Sequence, residues 1–507
     1  MIQSRTKNVL KNISFGLICQ IVSLLFAFAS RTLFIHFLDI EYLGINGLFS
    51  NILKVLSFAE LGIGNAIIFS LYKPLAIGDE KKTSSLMCFF KSVYTILGII
   101  IISLGFCLIP FLNIIINTPP DIPENLTVLY VLFLLNSGLS YFFSYKKTLL
   151  IADQKNYIVA TIEQIVNIVH FLANVGILYY TRNFFLYLLF NIFFTLVDNI
   201  VASHVVSKKY SFLKQNIVPL GRKEKKKIFE NVKSLAVYKF GSVIVNGTDN
   251  IFISALVGVS QVGLVSNYVL VTNACNSILA KIEDSFMSSI GNLNALSDKE
   301  RKYSVFQKTF FITFWIYGFA FCGLSLLLND FISIWLGSQY CLSQSIVFAI
   351  CLELYVSGIH NPAYMYRTTL GFFKQGQWSA IYASILNIGL SLLLFKLIGL
   401  SGIFFATSVA KFFSYGIVDP MLIYKNAFER KVSLYYFKYS AYALLLAFAY
   451  IILYFTLQNL CCNSLGDFAL KVIIVCVIYN TILFIVFRKS LMFKELITQL
   501  KQILSHK

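Results

Sequence analysis

Arg31, Lys54, Asp249 and Lys411 each stand inside long apolar runs of this 507-residue chain. At the centre of a membrane-crossing helix such a group costs about 2.5–3.5 kcal/mol, so it normally faces a partner or a water-filled cavity. Cations held there suit an anionic ligand in low dielectric. Glu60, Glu163, His170, Asp198 and Glu353 form a second set in similar sequence, suited to gating or to coupling with ion movement, and His360 stands beside them. His170 reads first as a hydrogen-bonded interior residue rather than a proton carrier. Glu60 lies within reach of Lys54 or Lys239, while Lys91, Lys239 and Lys281 are close enough to helix ends to extend to water. No metal site, cofactor or catalytic residue is expected, and coupling to H+, to Na+ or to the membrane potential is left open. The ten cysteines include no C-x-x-C, and no G-x-x-x-x-G-K occurs, which excludes an ATP-driven pump built from this chain alone.

The elements that must position these groups follow from composition. Hydrophobic residues make up 58%, charged residues 13%, and mean hydropathy is +0.75. Soluble domains carry about 25% charged residues, so a water-soluble enzyme is excluded. A helix needs about 20 apolar residues to cross a bilayer. Apolar runs predict fourteen spans. Six come first: 10–38, 42–72, 84–116, 124–151, 155–181 and 183–207. Eight follow: 234–257, 260–291, 304–329, 341–371, 375–398, 401–425, 434–457 and 466–488.

Charge placement supplies an independent test of this plan. Lys and Arg collect at alternate turns, at Arg5–Lys11, Lys73–Lys82, Lys146–Lys155, 208–233, Lys299–Lys308, Arg367–Lys374, Lys425–Lys438 and beyond Arg488. The intervening loops hold few. By the positive-inside rule the chain is expected to be an all-α integral membrane protein with both termini cytoplasmic. The net charge of +19 is then mainly a statement of orientation, and nucleic-acid binding loses its support. Basic residues before an apolar run ending Ala27-Phe28-Ala29 imitate a signal peptide, but the run resumes at Leu33–Leu38 and retention is expected.

The chain also repeats itself. An offset of 220 carries Asn167-Ile168 onto Asn387-Ile388, Lys147-Thr148 onto Arg367-Thr368 and Leu150 onto Leu370. Phe34-Ile35 matches Phe252-Ile253 at 218, and Leu43-Gly44 matches Val262-Gly263 at 219. Gly64-Asn65 resembles Gly291-Asn292 only at an offset of 227. Six helices per repeat give two parallel lobes related by an axis along the membrane normal. The expected plan is an N-lobe at 1–207, a basic linker at 208–233, a C-lobe at 234–425, two extra helices at 426–488 and an amphipathic cytoplasmic tail at 489–507. The offset of 218 maps Arg31 onto Asp249, which predicts opposite charges at equal depth on facing walls of a cavity.

Two stretches carry a family resemblance. Arg31-Thr32-Leu33-Phe34-Ile35, Glu41 through Phe49, Ala59-Glu60-Leu61-Gly62-Ile63-Gly64 and Leu71-Tyr72-Lys73-Pro74-Leu75 resemble the Wzx-type flippases of O-antigen and wall polymers. Thr248-Asp249-Asn250-Ile251, Val262-Gly263, Ser266-Asn267-Tyr268 and Ser289-Ile290-Gly291-Asn292-Leu293 are similar to the same family. It belongs to the multidrug/oligosaccharidyl-lipid/polysaccharide superfamily. The resemblance implies a MATE-like fold, not an enzyme, that moves an undecaprenyl-diphosphate-linked oligosaccharide between leaflets by alternating access. Its partners would be that lipid, membrane lipids and polysaccharide polymerase machinery. The rivals are a drug or cation antiporter of the same superfamily, which would favour an acidic cavity, and a membrane polymerase, which would normally carry a large outer loop.

Overall fold

A computed structural model describes residues 22–57, 63–116, 120–153, 155–214, 219–222, 224–226, 228, 241, 243–245, 247–296, 298–462, 464–490, 492–495 and 498. Among these residues the chain is helical, with no strand. Eleven helices are long and apolar enough to cross a membrane, and Val22–Phe37 and Val243–Leu256 are shorter apolar helices. Within the described residues every apolar run contains helix, at shifted boundaries.

The chain divides into two compact units, Met1–Gly263 and Leu264–Lys507. The first contains α1 (Val22–Phe37), α2 (Ile40–Leu56), α3 (Ile63–Ile77), α4 (Glu80–Leu108) and α5 (Leu126–Ser144). It continues with a short α6 (Lys147–Ala152), then α7 (Asn156–Thr181), α8 (Phe184–Lys209) and α9 (Asp249–Leu256). The run expected at 42–72 is shared between α2 and α3, and residues 58–62 between them, Glu60 included, lie outside the described residues. So do Arg5, Lys7, Lys11 and all of 229–240, Lys239 included.

Helix α10 (Val259–Leu296) starts in the first unit and runs into the second. The second unit then holds α11 (Lys299–Trp335), α12 (Gln344–Thr369), α13 (Ser379–Ile398), α14 (Ser401–Ile423), α15 (Ser433–Leu457) and α16 (Leu465–Phe487). Helix α11 is longer at both ends than the apolar run 304–329. Its start is set by Asp298, whose side chain accepts the Arg301 backbone N–H and so caps a polar first turn that hydropathy does not register. Asn125 and Asn183 cap α5 and α8 in the same way, and Ser464 with Asp467 forms a capping box on α16.

The matched glycines Gly44 and Gly263 meet in space. A Cβ on Gly44 would overlap the Val259 carbonyl, and one on Gly263 would lie 2.7 Å from the Ile40 carbonyl. Each glycine therefore faces the residue four places before the other, the reciprocal pattern of a local two-fold crossing between α2 and α10. Beside it the Ser260 hydroxyl donates to Glu41 Oε1 at 2.8 Å. Those two residues are themselves related by the offset of 219.

Because backbone atoms fill the space, neither glycine tolerates a side chain. Gly44→Leu or Gly263→Leu should destabilise the protein by about 1–3 kcal/mol or more through overpacking. Thermal unfolding in detergent would read this, with Gly389→Ala as a control, since nothing lies within 4 Å of a Cβ there. Unchanged stability for both leucine variants would contradict the crossing.

Candidate functional site

The turn before α7 and the turn before α13 bring a cation to a carboxylate in equivalent ways. In the first unit Lys147, opening α6, places Nζ 3.0 Å from Glu163 on α7 and 2.5 Å from Asp198 on α8. In the second, Arg367 in the last turn of α12 places Nε 3.3 Å from Asp419 on α14. Lys147 and Arg367 are repeat partners at the offset of 220, and Asp198 and Asp419 match at 221. The two clamps differ in charge balance. The first joins one cation to two carboxylates, whereas Asp419 also takes His360 Nε2 at 2.9 Å. Arg367 is 3% exposed and Asp419 fully buried.

Outside the spans, Lys155 pairs with Asp153, and the Tyr210 hydroxyl donates to the same carboxylate at 2.6 Å. Burial first, and then that carboxylate, push the Tyr210 phenol well above its ordinary pKa.

Helix α12 carries Glu353, Ser357, His360, Tyr364 and Arg367 at spacings of four and three, which places them along one face. Lys411, Tyr415 and Asp419 sit four apart on α14 opposite. The result is a ladder. Lys411 Nζ lies 2.8 Å from Glu353 and 3.1 Å from the Ser357 hydroxyl, and the His360 and Tyr415 rings are 5.9 Å apart. Arg367 stands over the Tyr364 ring at 5.3 Å and donates from Nη1 to the Gly376 carbonyl at 3.0 Å. On α10, Glu283, 4% exposed, accepts from the Tyr317 hydroxyl at 3.2 Å and from Asn361 at 2.5 Å.

The remaining expected residues fall elsewhere. Arg31 on α1 comes within electrostatic reach of Tyr187 on α8. Arg31 and Asp249 both lie in the first unit, and no ion pair joins them among the described residues. Asp249 opens α9, half-buried. Lys54 is exposed in the last turn of α2. His170 on α7 is hydrogen-bonded, at 2.7 Å from Asn191 and 2.9 Å from Asn174. Asp419 and Glu283 were not among the sequence candidates; each lies toward the end of its apolar run, where a charge draws no notice, although Asp419 is spaced four and eight residues from Tyr415 and Lys411. The described cysteines are free, and no group of His, Cys, Asp or Glu among the described residues has metal-site geometry.

A buried carboxylate stripped of its cation is costly. Arg367→Leu should lower stability by about 3–5 kcal/mol, while the double variant Arg367→Leu/Asp419→Leu should recover most of that loss. A thermal-denaturation cycle over the wild type, both single variants and the double variant gives the coupling directly. Additive single effects would show that the pair is not coupled.

No protein-family model matches the chain, and no curated protein matches it by sequence. Solved structures do match. A structure described as lipid II flippase MurJ in an inward closed conformation aligns over 95% of this chain and 99% of its own, with 15% identity and a TM-score of 0.66. An inward-facing multidrug resistance MATE family transporter of the MOP superfamily aligns over 79% and 94%, with 13% identity and a TM-score of 0.63. A mutant form of the Vibrio cholerae MATE transporter VcmN aligns over 84% and 99%, with 11% identity and a TM-score of 0.52. At such identities the likeness is one of fold, and these proteins are transporters and a flippase rather than enzymes. The chain has the MATE-like, all-helical membrane fold that they share.

Proposed function

We propose that this protein is a flippase that carries a polyprenyl-diphosphate-linked oligosaccharide across a bacterial cytoplasmic membrane, by alternating access, for surface polysaccharide synthesis. The observation that carries the reading is an apolar groove of about 620 Å³ between α10, α11 and α16. Its α11 wall runs from Trp315 to Phe331, about 24 Å of helix at about 1.5 Å per residue. Val271, Leu279, Phe319, Leu327, Val472 and Val475 give it an aliphatic and aromatic lining. Its one carboxamide, Asn480, is already engaged, accepting from Trp315 Nε1 at 2.8 Å and donating to the Cys476 carbonyl at 2.7 Å. A long groove without free polar groups suits an isoprenoid chain. The wall from α16 belongs to the pair of helices added beyond the six-helix repeat.

The diphosphate needs a cation. Arg31 on α1 is the candidate for the phosphate, with the exposed Lys54 on α2 as a second. Carboxylate pairing also argues against the cation-antiporter alternative. Glu353 faces Lys411 and Asp419 faces Arg367, while Glu163 and Asp198 share Lys147, so each of these four carboxylates already has a cation of its own unit beside it. Both termini are assigned to the cytoplasm on the positive-inside pattern. A polymerase partner and H+ or Na+ coupling belong to the same proposal.

Arg31→Ala should abolish export of the cognate polymer in cells while protein level and membrane insertion stay at wild-type values, and Arg31→Lys should keep part of the activity. Surface polymer staining alongside quantitative immunoblotting checks this. Wild-type export by Arg31→Ala would remove the cationic-site assignment.

A further inference from the structure

A second cavity lies wholly within the first unit. It has a volume of about 210 Å³ and sits between α1, α7 and α8. Room for roughly seven waters at about 30 Å³ each is also room for one hydroxylated ring. Helix α7 contributes Gln164, Asn167, His170 and Asn174, spaced three, three and four residues apart on one face. Ser23 and Ser30 line it from α1 and Tyr187 from α8. The aromatic rings of Phe26 and Phe171, 4.9 Å apart, complete the wall. No carboxylate lines it.

The repeat shows that this polar face is not required by the fold. At the offset of 220 the four α7 residues correspond to Ser384, Asn387, Leu390 and Leu394 on α13. There Asn387 is fully buried and its amide donates to Thr407 Oγ1 at 2.7 Å, which closes the helix pair. The same offset maps Thr407 onto Tyr187. The positions that seal α13 against α14 therefore line an open pocket between α7 and α8, and two leucines are replaced by His170 and Asn174. The Asn174 amide is incompletely satisfied. Its Nδ2 lies 2.9 Å from His170 Nε2 and 3.3 Å from Asn191 Oδ1, while its buried Oδ1 has no hydrogen-bond partner. Exchanging O and N by an amide flip leaves the other end unpaired instead. A binding pocket with apolar walls and a few convergent neutral polar groups suits an uncharged ligand rich in hydroxyls or amides. Arg31 follows the lining residue Ser30 and acts on the lining Tyr187, so an anion attached to that ligand would meet a cation beside the pocket.

We infer that this pocket is a saccharide subsite, which takes the sugar ring attached to the diphosphate and reads its hydroxyl and amide groups. The inference rests on the flippase reading and deepens it. A site that hydrogen-bonds a substrate's polar groups rejects the analogue that lacks them, because its own groups are then left unpaired.

The test uses the purified full chain in nanodiscs with two probes, undecaprenyl diphosphate and undecaprenyl-diphosphate-N-acetylglucosamine. Wild-type protein should bind the sugar-bearing lipid at least tenfold more tightly. His170→Leu/Asn174→Leu, which installs the side chains that the second unit already uses, should bring the ratio to within twofold and leave undecaprenyl diphosphate affinity unchanged. Arg31→Ala should weaken both lipids together. Asn167→Ala, at an exposed position on the same face, provides a second variant should the double one fold poorly, with a reduced ratio expected. A wild type that binds both lipids equally, or variants that keep the tenfold ratio, would overturn the subsite while leaving the flippase reading intact. Equal competition by phosphatidylglycerol would overturn it in favour of a phospholipid headgroup site. Failure to bind either polyprenyl lipid would sink the flippase reading and the subsite with it.

Discussion

A cation at a helix reversal, facing a carboxylate two spans along, is the interaction on which both halves of this chain depend. Lys147 with Asp198 and Arg367 with Asp419 occupy matched positions in the repeat. Lipid supplies no counter-ion, so any charge that must cross or reside in the bilayer needs a partner brought by the protein. A short reversal carries that partner on one helix and sets it against the next span but one, which fixes the orientation of three elements with a single contact. The first unit adds a second acid to its cation, and the second unit adds a histidine to its acid.

The halves agree at some packing contacts and diverge at others. The Gly44–Gly263 crossing and its attendant Glu41–Ser260 bond pair each residue with its own repeat partner. Helix α13 is closed on α14 through Asn387 and Thr407, but the corresponding α7 and α8 hold a polar cavity. The groove of the second unit depends on α16, which has no counterpart in the first. The polar pocket of the first unit and the apolar groove of the second each arise from a departure from the repeat.

Much of this was legible in the sequence. Hydropathy located the eleven helices long enough to cross a membrane among the described residues, because lipid permits few alternatives to a helix of adequate length. It misjudged α11, whose polar first turn is fixed by the Asp298 cap rather than by hydrophobicity. Lys411 and Glu353 were visible as charges out of place, yet their pairing across α12 and α14 was not, since sequence gives depth along a helix but not its rotation. Sequence likewise gives Arg31 and Asp249 equal depth by their offset but not the side each faces, and Arg31 comes within electrostatic reach of Tyr187. Arg367 read as an orienting charge in a loop, but the turn folds it inward until it is almost fully buried.

The central claim, that the cargo is an anionic lipid-linked saccharide rather than a cationic drug, is tested most directly in one preparation. Proteoliposomes of the wild-type chain would be loaded in parallel with a fluorescent undecaprenyl-diphosphate-saccharide and with ethidium, and leaflet transfer of the first compared with transport of the second. The account predicts protein-dependent transfer of the lipid and none of the dye. Transport of the dye without transfer of the lipid would contradict it.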